Sequence, residues 1–311
     1  MTHENFLGCN HPIVCLPMNR VSDIDLAIAV AKAGCLPSII MVSYSANDGK
    51  KFLEEKFKID MIRMKLEVGH CNIIVSMTDF FLLMHHQRIM KMIEIFGISH
   101  IEILPYYGNQ DKQSYSLENY IKCLVEVKAI GCKIIVKCLS YPIESISENL
   151  ARYNLIDAIV VKSAKGAGKV STYNEDIFVL TEKVKKRYPS IHIISSGGVS
   201  TSSDITKCLD SGAIAVGIGT LFALSKESKV DFKTKEMLML KNSEDITAIG
   251  RTGLGLNAIV IKEHDGPDDD NFSQSLEIGV KGAGGHLYIG HGINQVNEIL
   301  SVSDIVKRLT T

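Results

Sequence analysis

The 311-residue sequence carries no surplus of either charge: 34 Lys and Arg stand against 35 Asp and Glu, for a formal net charge of −1. A nucleic-acid surface or a polybasic membrane patch needs a clustered basic excess, so neither partner is expected, although a local basic pocket for a phosphorylated ligand is compatible with this balance. No run of 18 apolar residues occurs, which excludes an ordinary membrane-spanning helix. Met1 to Asn10 is polar and lacks the apolar centre of an export signal. The eight cysteines (Cys9, Cys15, Cys35, Cys71, Cys123, Cys132, Cys138 and Cys208) form no C-x-x-C pair. Several lie inside apolar runs, so free core thiols in a reducing cytosol are expected, with no bound metal and a cytoplasmic location. A Gly-x-Gly-x-x-Gly nicotinamide motif is also missing. Asp268–Asp270 lacks the ligand alternation and terminal Glu of a calcium loop and reads as a solvated turn.

What is present is the composition of an ordinary globular protein, 46% hydrophobic and 22% charged. Short apolar runs alternate with longer segments of helical period. Strands are expected at Pro12–Pro17, Ser38–Ser43, Asn72–Met77, His100–Leu104, Lys133–Leu139, Ala158–Lys162, His192–Ser196 and Ile214–Ile218. Such β-branched runs bounded by Gly, Pro or Ser suit strands buried on both faces. Helices are expected between them, at Asp23–Ala33, Lys50–Lys65, Leu82–Phe96, Leu117–Ile130, Ile143–Tyr153, Asn174–Tyr188 and Ser203–Ser211. Ser22 and Ser203-Asp204 supply capping chemistry. Eight strands with seven intervening helices point to an α/β fold, a (β/α)8 TIM barrel forming one domain over residues 1–311. After the eighth strand the regularity fails. Residues 222–290, with a helix around Asp231–Asn242 and an acidic stretch at Asp265–Asn271, read as an excursion over the barrel mouth. Gln295–Leu309 reads as a closing helix.

Two glycine-rich turns carry the strongest chemical signal. His192-Ile-Ile-Ser-Ser196-Gly197-Gly198 is followed by Ala213-Ile-Ala-Val-Gly217-Ile218-Gly219-Thr220. Glycine lets the backbone approach a ligand closely and turn successive N–H groups towards it, and a following helix adds its dipole. In barrels, phosphate commonly sits after strands seven and eight, where both turns fall. A third segment, Ser163-Ala-Lys165-Gly166-Ala-Gly168-Lys169-Val170, fails as a P-loop: it has Ser163 for the first Gly and Val170 for the Ser or Thr that binds magnesium.

The opening Pro12-Ile-Val-Cys-Leu-Pro17-Met18-Asn19 and Leu26-Ala-x-Ala-Val-x-x-Ala33-Gly34 resemble the start of the nitronate monooxygenases and of the related FMN-dependent enoyl-acyl-carrier-protein reductases. Ser196-Gly197-Gly198 and Gly217-Ile218-Gly219-Thr220-x-Phe222 resemble the family's late phosphate turns. Arg251–Asn257 and Gly290-His291-Gly292 add to the likeness, which spans nearly the whole chain. It implies FMN across the C-terminal mouth, with Pro17, Met18, Asn19, Ser76 and Lys162 beside the ring and Ala167 and Gly168 in the adjoining loop. The turns from Ser196 to Gly198 and from Gly217 to Thr220 would surround the phosphate.

The strand-six loop departs from the family pattern Gln-Gly-x-Glu-Ala-Gly-Gly-His. Lys162 stands for the Gln, Lys165 for the Glu and Lys169 for the His. An imidazole trades protons at neutral pH, whereas a lysine is a base only when its pKa is lowered. Lys162 would instead stabilise negative charge on reduced flavin near its N1–C2=O edge. His286 repeats the Gly-Gly-His spelling after strand eight and is, with Lys169, a candidate catalytic residue. The resemblance implies a monooxygenase-like, FMN-dependent oxidoreductase acting on a small or carrier-tethered organic substrate. Reduction of an activated alkene, desaturation of a tethered acyl group, and a ligand-binding barrel with little catalysis are the alternatives. A homodimer is compatible with all of them.

Overall fold

The computed structural model describes residues 2–46, 51–104, 117–138, 154–169, 175–249, 256–262, 277, 279–282 and 284–311. Eight parallel strands form one sheet: β1 (Ile13–Cys15), β2 (Ser38–Ile40), β3 (Ile74–Thr78), β4 (His100–Leu104), β5 (Lys133–Cys138), β6 (Ala158–Lys162), β7 (His192–Ser196) and β8 (Ala215–Ile218). From β2 to β8 each strand pairs with the next in sequence, and β8 pairs with β1. Val14 and Leu36 close the ring through a single parallel bridge just ahead of β2. The fold is a (β/α)8 barrel.

Three strands, β4, β6 and β7, have the limits expected from sequence. β2 ends three residues early, where Met41–Tyr44 form a 3-10 turn. From that turn the Tyr44 ring packs edge-on against Phe57 at 5.2 Å and its hydroxyl donates to Asp60 at 2.7 Å, tying the segment to the helix that follows.

A short helix, α1 (His3–Leu7), precedes the barrel. The crossover helices described are α2 (Ile24–Lys32), α3 (Glu54–Val68), α4 (Asp79–Phe96), α5 (Leu117–Ala129), α6 (Ile177–Arg187) and α7 (Ser202–Asp210). Two expected caps shift. Asp23, not Ser22, accepts from Leu26 N at the start of α2, while Ser22 accepts from Met18 N and pins the β1 loop. Thr201, not Ser203, caps α7, in a reciprocal box with Asp204. The expected helix Ile143–Tyr153 and the acidic stretch Asp265–Asn271 lie outside the described residues.

Period-two alternation sorts the strands into two layers. Ile159, Val161, Ile193 and Val216 face the helices in the larger core. Val14, Leu36, Ile74, Ile135, Val160, Ile194 and Ala215 fill the barrel interior. Each such aliphatic side chain contributes about 1.5–3 kcal/mol when fully buried. Phe6 and Leu7 of α1 join this inner group and stopper its N-terminal end. There the Phe6 ring lies 4.7 Å from His192 and 5.4 Å from His100, whose Nε2 is bonded to Phe6 O at 3.0 Å. The next inward positions towards the other end are Ser76, Glu102, Lys137, Lys162, Ser196 and Gly217. The apolar core stops there and a polar floor begins.

Beyond β8 come α8 (Thr220–Ala223) and α9 (Phe232–Leu238), then the strands Thr247–Ile249, Leu256–Lys262 and Gly285–Leu287. These three form an antiparallel sheet that also pairs with Gly168–Lys169, tying the excursion to the β6 loop. The last helix, α10 (Val302–Thr310), begins later than expected because His291–Gln295 is a 3-10 turn and Ser301 is the cap. All eight cysteines are free thiols, as expected. Among the described residues no helix is long and apolar enough to cross a membrane, and no His, Cys, Asp and Glu group is placed to hold a metal.

Candidate active site at the barrel mouth

A cavity of about 300 Å³ opens at the C-terminal end of the strands. Its floor is the polar layer. Ser76 Oγ donates to Glu102 Oε1 at 2.9 Å, and Lys137 Nζ lies 3.6 Å from the same oxygen. Lys162, 7% exposed, donates from Nζ to Ala167 O in the loop that follows β6. Burial, reinforced by the charge of Lys137 and opposed by Glu102, holds the Lys162 pKa well below the usual lysine range. Glu102 is 1% exposed, and its second oxygen, Oε2, finds no hydrogen-bond partner among the described residues.

The walls are the loops after the strands. Pro17, Met18 and Asn19 line the cavity from β1, and Asn19 Oδ1 is a further buried acceptor without a partner among the described residues. Gly197 and Gly198 both have positive φ, 97° and 83°. Side chains other than glycine rarely take this conformation, so the two residues carry the turn that faces the cavity. Ser163 holds that turn by donating twice: its N–H to Ser196 O at 3.0 Å and its hydroxyl to Gly197 O at 2.9 Å. On the other side of the β6 loop, Asn257 Nδ2 donates to Ala164 O at 2.7 Å and Gly166 O at 2.9 Å. Gly290 lies so close to the Gly166 backbone that a Cβ there would sit 2.8 Å from its carbonyl carbon, and Gly290 N donates to Thr220 Oγ1 at 3.1 Å. Leu287, Tyr288, Ile289 and Gly290 also line the cavity.

The structure brings most of the candidates from the sequence onto this one cavity: Pro17, Met18 and Asn19, Ser76 and Lys162, Ala167 and Gly168, Gly197 and Gly198, and Gly217, Gly219 and Thr220. Ile218 does not line it, because alternation turns its side chain into the outer core. Ser196 lies just beneath, its Oγ buried with no partner among the described residues. His286 is buried behind Tyr288, with ring centroids 5.3 Å apart, and it is Tyr288 that reaches the cavity. Lys169 pairs through its backbone with Leu256; its side chain lies outside the described residues. Sequence reasoning passed over Glu102 and Lys137. The available signal was parity: each is a charged residue two positions beyond an inward residue of a buried strand.

A family model described as nitronate monooxygenase matches residues 126–311, more than half of the chain. A nitronate monooxygenase of Pseudomonas aeruginosa is 23% identical over 281 residues, covering 80% of this chain and 78% of the relative. Among solved structures, FabK from Thermotoga maritima has a TM-score of 0.74 at 21% identity, covering 98% of this chain and 93% of that one. Nitroalkane oxidase from Streptomyces ansochromogenes has a TM-score of 0.71 at 17% identity, covering 98% and 96%. At such identities the structural likeness speaks for the barrel, and the family match speaks for descent. The chain belongs to the nitronate monooxygenase family of FMN-dependent oxidoreductases.

Proposed function

We propose that the mouth binds FMN and that the whole chain, with residues 222–290 as its roof, works as one oxidoreductase unit on a small or carrier-tethered organic substrate. The observation that carries this reading is convergence. The β1 loop, the Gly197-Gly198 turn and the Gly217–Thr220 turn are far apart in sequence and line a single cavity.

The residues present fit the cofactor. The two-glycine turn brings bare backbone to the cavity wall, and it is packed too tightly for a side chain, since a Cβ on Gly198 would meet Lys165 Cβ at 3.0 Å. Asn19 Oδ1, Glu102 Oε2 and Ser196 Oγ are buried polar atoms that a polar ligand would satisfy. In this reading Pro17, Met18 and Asn19 lie against the ring, with Ser76, Lys162, Ala167 and Gly168 at its edge. Ser196, Gly197 and Gly198, with Gly217, Ile218, Gly219 and Thr220, surround the phosphate. Bound there, FMN supplies the two-electron chemistry. The chain positions the ring, excludes water with the Leu287–Gly290 roof, and presents Lys169 as its candidate catalytic group; His286, outside the cavity lining, could act only through Tyr288.

Lys169 in place of the family His argues against oxidation of neutral nitroalkanes, because a protonated amine is no base for their acidic C–H; a nitronate has already lost that proton. Apolar walls, among them Ile40, Leu104, Leu224 and Val230, favour a second reading, reduction of an activated alkene in an apolar or acyl substrate. Purification and mass spectrometry of any heat-released ligand test the cofactor, and turnover of nitronates against activated alkenes separates the reactions. A colourless protein that takes up no FMN on reconstitution defeats the reading.

A further inference from the structure

The sequence reading gives Lys162, where the family pattern has Gln, a fixed positive charge, but its surroundings do not support one. The amine sits on the closed floor of the cavity, and its bonded partner is the uncharged carbonyl of Ala167. Among the described residues no carboxylate lies within ion-pair distance of it. Glu102, from β4, is already engaged by Ser76 and Lys137. Lys137, from β5, faces Lys162 as a like charge. From β7 the register neighbour is Ser196, which carries no charge. Lys165, in the loop above, pairs with Asp176 at 2.7 Å, and the roof contributes the phenol of Tyr288. Burial and Lys137 both oppose an ammonium here, and only Glu102 favours one. An anion arriving in the cavity would reverse that balance, because a close opposite charge favours the charged form of an amine.

We propose, on the reading that FMN binds here, that Lys162 is a redox-linked proton acceptor: an uncharged amine beside the oxidised ring and an ammonium beside the reduced, anionic one. The balance is simple. Reduction delivers two electrons and one proton to the ring, and Lys162 takes a second proton from solvent. The only new bond on the protein is N–H, and none is broken. The device belongs to this chain's own Lys162, where the family pattern has an amide that cannot titrate.

The test is spectroelectrochemical titration of the FMN-loaded protein across pH. Each proton taken up per two electrons moves the midpoint by about 30 mV per tenfold change in proton activity. Over roughly pH 7.5 to 9 the wild type should therefore shift by about 60 mV per pH unit while its reduced spectrum stays that of the anionic flavin. Lys162→Gln and Lys162→Met should each shift by about 30 mV per unit with the same reduced spectrum. A wild-type slope of about 30 mV overturns the proposal. So does the steeper slope with a neutral reduced-flavin spectrum, which puts the second proton on the ring. The wild-type slope and spectrum decide the matter even where neither variant folds. Failure to bind FMN at all would instead strike the cofactor reading, and this inference with it.

Discussion

Ser76 donates its hydroxyl to Oε1 of Glu102 at 2.9 Å, the same oxygen that Lys137 Nζ approaches at 3.6 Å. One carboxylate thus holds the floor of three adjacent strands together. Glu102→Ala would leave Lys137 without the carboxylate it faces, and breaking such a buried pair costs roughly 3 kcal/mol. Glu102→Gln keeps an acceptor for Ser76 and should cost less. Urea denaturation midpoints decide it, and an alanine variant as stable as wild type would show that the carboxylate is not structural.

The phosphate assignment rests on the Gly197-Gly198 turn. Gly198 has φ of 83°, so any side chain there meets backbone strain of roughly 1–2 kcal/mol, whatever the ligand. Gly198→Ala reports that strain alone, and Gly198→Asp adds a negative charge. Flavin affinity should fall much further for Asp than for Ala, by at least about tenfold, equivalent to 1.4 kcal/mol. Equal affinities in the two variants would remove phosphate from this turn.

Oxidation of neutral nitroalkanes should be feeble. With Lys169 where the family pattern has His, turnover of 2-nitropropane, which must first lose a C–H proton, is expected to be far below that of His-bearing relatives, and Lys169→His should raise it; propane 2-nitronate, already deprotonated, is the control that bypasses this step. Vigorous oxidation of 2-nitropropane by the unaltered protein would contradict this.

Acid should weaken the fold from the opposite end of the barrel. Burial, and then the charge of Lys133, push the His100 pKa down to about 3, against a partial lift from the bond to Phe6 O. A histidine whose folded pKa is depressed contributes its full stability above the unfolded value near 6.5. That contribution is lost as pH falls from there towards 3. At pH 5 the loss is about 2 kcal/mol. His100→Gln, which can still donate to Phe6 O, should flatten the decline in melting temperature between pH 7 and pH 5. An unchanged decline would place the acid sensitivity elsewhere.

The barrel was largely legible in the sequence because buried parallel strands advertise themselves as β-branched runs, and β4, β6 and β7 begin and end where the apolar pattern does. Caps were harder. Ser22 and Asp23 are adjacent good capping residues, and only the bond from Met18 N to the Ser22 hydroxyl decides that Asp23 serves α2. The glycine turns and the Pro17–Asn19 loop could be read because backbone needs restrict residue choice there. Glu102 and Lys137 escaped notice because HIEIL and KIIVKC look like apolar strands when composition is scanned without asking which way each residue faces. His286 shows the converse: its Gly-Gly-His spelling matches a motif, yet it is the neighbouring Tyr288 that lines the cavity.

The ring of strands is not equally joined all the way round. Elsewhere neighbouring strands share ladders of three to five registered pairs, whereas β1 and the segment before β2 meet at one bridge. Three backbone hydrogen bonds cross that line, from His11 N to Gly34 O, Leu36 N to Ile13 O and Cys15 N to Leu36 O. The amides of Cys15 and Leu36 are therefore where hydrogen exchange is expected first if the ring opens. The same strand edge leads straight into Pro17, Met18 and Asn19. An opening at this seam would reach the mouth through those three residues, whereas the Gly197-Gly198 turn follows β7, which is held to its two neighbours by three and five registered pairs.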